Sequence, residues 1–181
     1  CNYSQFSSKY PAFLGNQQPN VFNPAFSGGA LMDINLYNLH FVCALFGSPQ
    51  QINYVANIRD GIDTSGVVTL RYPDFVAACS GAKDSFSLNF AQIQGENGYL
   101  NVVDGINGCA QISLHTAQSA VTINAQLPGN RLAPEVQVFR DMLAQRDDEG
   151  CTAELMHSLR VMEMLDAARQ SAGLVFSADK M

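Results

Sequence analysis

Hydrophobic and polar positions change their period twice along the chain, and the three regimes set its plan. The first centres on residues 22–47, FNPAFSGGALMDINLYNLHFVCALFG. At about 100° per residue, Asp33, Tyr37, His40 and Ala44 share one narrow stripe. Leu31, Ile34, Leu39, Phe41, Val42, Leu45 and Phe46 fill a broad arc mostly opposite, with Asn35 and Asn38 inside it. The pattern predicts a long, largely buried helix with a tight Gly28–Gly29 entry. Ser27 is the expected N-cap, and Gly47 with Pro49 the stop.

From Gln51 to Gln126 the period falls to two. INYVANI, GVVTLRY, DFVAACS, FSLNFAQI, YLNVV, CAQISLH and AVTINAQ read as short strands rich in β-branched and aromatic residues. Phe86, Leu88 and Phe90 alternate with Ser87 and Asn89; Ile112 and Leu114 with Ser113 and His115; Val121 and Ile123 with Thr122 and Asn124. One face is therefore expected to be buried and the other wetter. Turns are expected at Tyr72-Pro73-Asp74, at Asn97-Gly98, and around Asp104-Gly105 and Asn107-Gly108. Such short links join antiparallel neighbours, so most of the sheet should be a meander.

The third regime is helical again. Pro134 opens a helix with Val136, Val138, Phe139, Met142 and Leu143 on one face, and residues 147–150 break it. Thr152 is expected to cap a last helix running through Leu155, Leu159, Met162 and Leu165 to Gly173. Met156, Met162 and Met164 are read as core filler. Upstream of everything, residues 2–9 alternate like a strand, and Pro11 to Pro24 reads as a long loop beside the Asp33 stripe. The expected fold class is α+β: a large, mostly antiparallel open sheet with helices packed on one face.

Composition narrows the picture. The 181 residues are 47% hydrophobic and 14% charged, enough for a sizeable core in a single domain. The net charge is −6 with scattered Lys and Arg, which argues against a nucleic-acid partner. No apolar run is expected to reach the roughly 20 residues that span a bilayer, and no signal peptide is visible. Five cysteines without a C-x-x-C suit reduced structural thiols, so a cytoplasmic location is expected. A strand beginning at residue one suggests a domain cut from a longer protein, ordinary processing being the rival explanation.

The stripe carries the candidate chemistry. Asp33 and Tyr37 are four residues apart and neighbours on a helix, so the carboxylate can orient the phenol. A tyrosine is protonated at neutral pH and can act as an acid; acting also as a base requires a nearby cation. His40 could donate to a substrate or to Asp33. From spacing alone, a satisfied polar cluster joining the helix to its neighbours is the better account. Asp33 and His40 form too small a set for a metal without a third ligand. His115 is expected on an exposed strand face. No G-x-G-x-x-G follows a strand, and G-x-S-x-G is absent.

The run NPAFSGGALMDINLYNLHFVCALFG resembles the signature of the glucose–fructose oxidoreductase, inositol dehydrogenase and MocA (Gfo/Idh/MocA) family, with Gly28, Gly29, Asp33 and Tyr37 at the motif positions. The opening strand with Lys9, the QGENGYLNV hairpin and the closing LVFSADK extend the resemblance over most of the chain. The resemblance implies a two-domain NAD(P)-dependent oxidoreductase acting on CH–OH or C=O groups of a sugar, polyol or diol. Its N-terminal Rossmann domain holds NAD or NADP and supplies a Glu-Lys-Pro lysine, the cation Tyr37 needs. Residues 1–181 match only the C-terminal domain, which binds substrate and forms a homo-oligomer through its sheet.

By this resemblance Asp33 and Tyr37 are catalytic, Tyr37 passing the hydroxyl proton and Asp33 holding it. Lys9, Asn23 and His40 are candidates for substrate contact, although His40 has no fixed place in the family pattern. Tyrosine at 37 resembles the dihydrodiol dehydrogenase and glucose–fructose oxidoreductase branch. The chain alone is expected to be inactive, with no cofactor-binding or metal-binding residues of its own and no nucleic-acid or membrane partner. The alternatives are a non-catalytic binding or assembly module on the same scaffold, and a metal-dependent enzyme using Asp33 and His40.

Overall fold

The computed structural model describes residues 1–124, 129–130, 132–176 and 179. Strand β1 (Asn2–Ser4) leads to a short helix α1 (Tyr10–Leu14) and two 3₁₀ turns at Asn20–Phe22 and Pro24–Phe26. A π-helical turn, Leu31–Asn35, runs directly into α2 (Leu36–Phe46). Strands β2 (Gln51–Arg59), β3 (Ile62–Arg71), β4 (Val76–Ala82), β5 (Phe90–Gly95) and β6 (Gly98–Val103) follow. The short helix α3 (Gly105–Gly108) precedes β7 (Gln111–Thr116) and β8 (Ala120–Ile123). Helices α4 (Ala133–Gln145) and α5 (Asp148–Ser171) close the chain. The end of the predicted AVTINAQ strand lies outside the described residues.

The eight strands form one sheet in the order β2-β3-β4-β1-β5-β6-β7-β8. Two antiparallel meanders are joined through β1, which is parallel to β4 and antiparallel to β5. This is the α+β, mostly antiparallel sheet expected. The Tyr72-Pro73-Asp74 turn closes through Tyr72 N–H to Phe75 O at 2.9 Å. The β5–β6 hairpin turns at Glu96–Asn97, between the paired Gly95 and Gly98.

Helices α2 and α5 pack on one face of the β2–β4 half. Leu39, Val42 and Cys43 meet Val161, Met164, Leu165 and Ala168 over Tyr54, Val68, Leu70 and Cys79. Fully burying a side chain of this size stabilises by about 1.5–3 kcal/mol. The two asparagines inside the apolar arc also have a job: Asn35 Nδ2 donates to Cys79 O at 3.0 Å and Asn38 Nδ2 to Ser80 O at 2.9 Å, clamping the helix to β4. The five cysteines carry no disulfide, and Cys43 and Cys79 are buried.

Several expectations need correction. The first strand is only three residues long, although Gln5 and Ser7 continue to hydrogen-bond to Ala82 O and Lys83 O. The stretch from Pro11 to Pro24 is not a plain loop, because Pro11 sits in the first turn of α1, where a missing N–H costs nothing. Phe86 and Leu88 lie outside β5 and are exposed, Phe86 stacking on Phe6 with centroids 4.8 Å apart. Leu114, Val121 and Ile123 do share the helix-bearing face, yet α2 and α5 do not reach them and they stay exposed. His115 is half-buried, stacked on Tyr99 and hydrogen-bonded to Ser113 at 2.8 Å.

At the C-terminal helices, Asp147 rather than Thr152 caps α5, accepting from Gly150 N–H at 2.9 Å. Thr152 lies one turn inside and donates to Asp148 O. The apolar face of α4 is exposed; of the expected α5 stripe Leu165 is buried, with Val161, Met164 and Ala168, whereas Leu155, Leu159 and Met162 are exposed. Met164 is core; Met156 and Met162 are exposed. Leu174 and Asp179 are tied back by Arg169, which donates to Leu174 O at 3.0 Å and pairs with Asp166 and Asp179. By length and composition Pro24–Phe46 is apolar enough to cross a membrane, contrary to expectation, and half of its apolar window is buried inside the fold.

Candidate functional site

The site is built where the π turn, the end of β4 and the 20–22 turn converge. Gly28 and Gly29 make that convergence possible. A Cβ on Gly28 would stand 2.8 Å from the Val21 carbonyl carbon. A Cβ on Gly29, whose φ is +106°, would stand 2.0 Å from Asp63 Oδ1. The glycines therefore serve close backbone approach, which only a residue without Cβ permits.

Asp63, wholly buried on β3, caps the helix in place of Ser27. Its Oδ2 accepts from Leu31 N–H at 2.6 Å and from Tyr54 O–H at 2.7 Å. Ser27 is instead in the left-handed conformation at the end of the preceding 3₁₀ turn. Burial pushes the Asp63 carboxyl up from its ordinary value, and the Tyr54 and Leu31 hydrogen bonds partly offset this. The Tyr54 phenol is pushed up as well, by burial and by the Asp63 charge.

One turn on, Asp33 sits in the π segment. Leu36 N–H bonds to Leu31 O, five residues back, so one residue is inserted into the helical repeat. Asp33 Oδ2 meets Lys83 Nζ at 2.5 Å. Lys83, only 3% exposed, also donates to Val21 O at 2.8 Å and lies 4.7 Å over the Phe22 ring. Its backbone is pinned on both sides, N–H to Thr64 O and O from Ser7 N–H, each 2.8 Å. The Asp33 side chain remains 46% exposed.

Tyr37 is 43% exposed, and its ring meets Tyr3 edge-on at 5.7 Å. Its hydroxyl makes no hydrogen bond among the described residues. The expected Asp33–Tyr37 hydrogen bond is thus not formed: the carboxylate goes to Lys83 and the phenol is left open. Tyr3 O–H, beside it, accepts from Asn107 Nδ2 at 2.9 Å.

The other sequence candidates fall in different places. Lys9 is exposed at the start of α1 and lines, with Pro19, Asn20 and Val21, a shallow recess of about 480 Å³. Asn23 spends its side-chain oxygen on Ala25 N–H at 2.9 Å, capping its own 3₁₀ turn. His40 Nδ1 is 3.1 Å from His157 Nε2 on α5, and burial, then the His157 charge, hold its imidazolium below the ordinary range. Asp33 and His40 therefore each have another partner, and no group of three or more His, Cys, Asp or Glu suited to a metal occurs among the described residues.

Sequence reasoning missed Lys83 and Tyr3. The signal for Lys83 was present: it ends VAACSGA, a run without any other charge, so its ammonium had to find a partner inside the fold.

A dinucleotide pyrophosphate does not fit these residues. Gly28 and Gly29 are filled by Val21 and Asp63, and the helix N–H that would greet a phosphate already donates to a carboxylate.

Comparison with known proteins agrees with this architecture. Residues 2–101 match the model of the GFO/IDH/MocA C-terminal domain. The chain is 33% identical to the oxidoreductase YgjR of Escherichia coli, over 99% of this chain and 55% of the relative. It is 31% identical to the scyllo-inositol 2-dehydrogenase (NADP(+)) IolU of Bacillus subtilis, again over 99% of this chain and 55% of the relative. A 3-ketoreductase from Actinomadura kijaniata, solved with NADP and TDP-benzene, superposes with a TM-score of 0.69 at 17% identity, over 94% of this chain and 52% of its own; that likeness concerns the fold alone. The chain spans about half the length of the curated relatives it matches.

Proposed function

The chain belongs to the Gfo/Idh/MocA oxidoreductase family, as its C-terminal domain, and from this premise we propose that it is the substrate-binding half of an NAD(P)-dependent dehydrogenase. The substrate is a small sugar, polyol or diol whose CH–OH and C=O forms interconvert. Supporting the substrate class, the relative IolU is named for action on scyllo-inositol with NADP(+). The observation that carries the reading is the Tyr37 hydroxyl: half-exposed, on a rigid helix and without a partner among the described residues. A phenol so placed can hydrogen-bond a substrate oxygen and move its proton. Asp33, one turn away and half-exposed, can accept a hydrogen bond from a second substrate hydroxyl through Oδ1. Lys9, at the edge of the recess beside Val21, is retained as a substrate contact. Asn23 braces the backbone of its own 3₁₀ turn at Ala25 N–H, and His40 joins α2 to α5 through His157.

NAD(P) is held outside this chain, on a Rossmann domain, because the glycines here have no room for a phosphate. The chain alone is therefore inactive. It self-associates through the face of the sheet that α2 and α5 leave open, and it works in the cytoplasm on a soluble small molecule, with no nucleic-acid or membrane partner.

The test compares the complete protein with residues 1–181 alone, each given NAD⁺ or NADP⁺ and a panel of inositols, aldoses and trans-diols. Nicotinamide reduction by the complete protein only is the expected result. Turnover by the chain alone, or none by the complete protein, would overturn the reading.

A further inference from the structure

Lys83 is unusual in how its ion pair is built. Burying an ammonium is costly unless its protons are received. Here two go to Asp33 Oδ2 at 2.5 Å and Val21 O at 2.8 Å, and the charge also sits over the Phe22 face at 4.7 Å. A pair that served only as a cross-link inside the core would bury both ends. In this one the cation is 3% exposed while the carboxylate is 46% exposed. The buried charge is thus presented outward through one oxygen of Asp33. The other oxygen, Oδ1, has no hydrogen-bond partner among the described residues.

The lysine is also held from behind. Its backbone is fixed between Thr64 and Ser7, so the ammonium has a rigid base. Asp33 lies within the π turn, and its carboxylate meets the ammonium from there. A fixed ammonium, the carboxylate it holds and a free carboxylate oxygen four residues before the open Tyr37 form one arrangement.

We propose that Lys83 is a positioning residue for the dehydrogenase reaction. It locks Asp33 by Oδ2, so that Oδ1 receives a substrate hydroxyl in a single geometry beside Tyr37. Lys83 does not touch substrate; its effect passes entirely through Asp33. The inference rests on the assignment of Asp33 and Tyr37 to the site.

The experiment is a double-mutant cycle in the complete protein, Lys83→Met, Asp33→Asn and the pair together, with kcat, KM and Tm read for each. Lys83→Gln is added because it removes the charge and keeps a donor for Val21 O, so a folded variant is available if methionine disturbs the 20–22 turn. Misplacing a substrate-orienting group costs on the order of 10²-fold in rate. Lys83→Met and Lys83→Gln should each lose about that factor in kcat, with KM changed less. In the Asp33→Asn background, removing Lys83 should cost little more, since the group it acts through has already lost its charge. A full repeat of the loss in that background, or a lowered Tm with unchanged kcat, would overturn the proposal while leaving the Asp33 assignment standing. A wild-type kcat for Asp33→Asn alone would end that assignment, and this proposal with it.

Discussion

Replacing Gly29 by alanine puts the local packing argument at risk most sharply. The residue has φ of +106°, and the added Cβ would stand 2.0 Å from Asp63 Oδ1. A side chain in that backbone region costs about 1–3 kcal/mol by itself. Asp63 must also shift, and it accepts from Leu31 N–H at 2.6 Å and Tyr54 O–H at 2.7 Å. A hydrogen bond to a charged group contributes about 1.5–3 kcal/mol, so losing even one brings the total to about 2.5–6 kcal/mol. That is a large part of the 5–15 kcal/mol of a typical domain. Gly47→Ala is the control: φ is +72° and ψ −158°, a region essentially reserved for glycine, with no atom within 4 Å of the new Cβ, leaving only a backbone cost of about 1–3 kcal/mol. Urea unfolding of residues 1–181 and both variants measures the difference, provided the slope m is unchanged. Equal losses for Gly29→Ala and Gly47→Ala would refute the Asp63 contact as the reason for the Gly-Gly motif.

Two further outcomes follow from burial and register. Because burial raises the folded-state value of Asp63 above the unfolded one, near 3.9, its contribution to stability is fully present below that pH and is lost as pH rises through the folded value. Wild-type stability relative to Asp63→Asn should therefore fall as pH is raised from 4 toward neutrality; a flat difference in urea titrations across that range would contradict the account. On the open face, one row across the strands runs Val55, Val67, Ser80, Asn2, Phe90 and Val103, so two exposed apolar pairs flank a polar centre. Exposed apolar pairs of this kind suit an interface, so sedimentation should show self-association that Phe90→Glu weakens, and a strictly monomeric wild type would count against it.

The parts of the fold legible in the sequence were those governed by local periodicity and by glycine. The meander and the Gly47 stop follow from period two and a positive φ, and the β5–β6 hairpin was placed by its turn residues, although the turn falls at Glu96–Asn97 with Gly98 already paired. What escaped were choices made by distant residues. Ser27 was a sound local cap, but a carboxylate 32 positions downstream took the helix N–H. The inserted residue of the π turn has no signature in side-chain pattern, so the regular stripe joined Asp33 to Tyr37 when packing joins it to Lys83, 50 positions away. Asn35 and Asn38 interrupted the apolar arc without explanation until β4 supplied two carbonyls. Phe86 and Leu88 alternated correctly for a strand, yet no neighbouring element covers them. Asp33 and Tyr37 both reach the surface, but the hydrogen bond that their spacing led one to expect is replaced by the Asp33–Lys83 pair.

The kcat of Tyr37→Phe in the complete protein tests the central claim most directly. The substitution removes one oxygen that has no partner among the described residues, so Tm should stay at its wild-type value. A positioned acid–base group contributes about 10²–10⁴-fold, and that loss should fall on kcat with a smaller change in KM. Asp33→Asn, which keeps a hydrogen-bonding group, should cost less than Tyr37→Phe. A Tyr37→Phe enzyme with unchanged Tm and kcat reduced within that range is the predicted result; one with near-wild-type kcat would contradict the assignment of this chain as the acid–base half of a dehydrogenase.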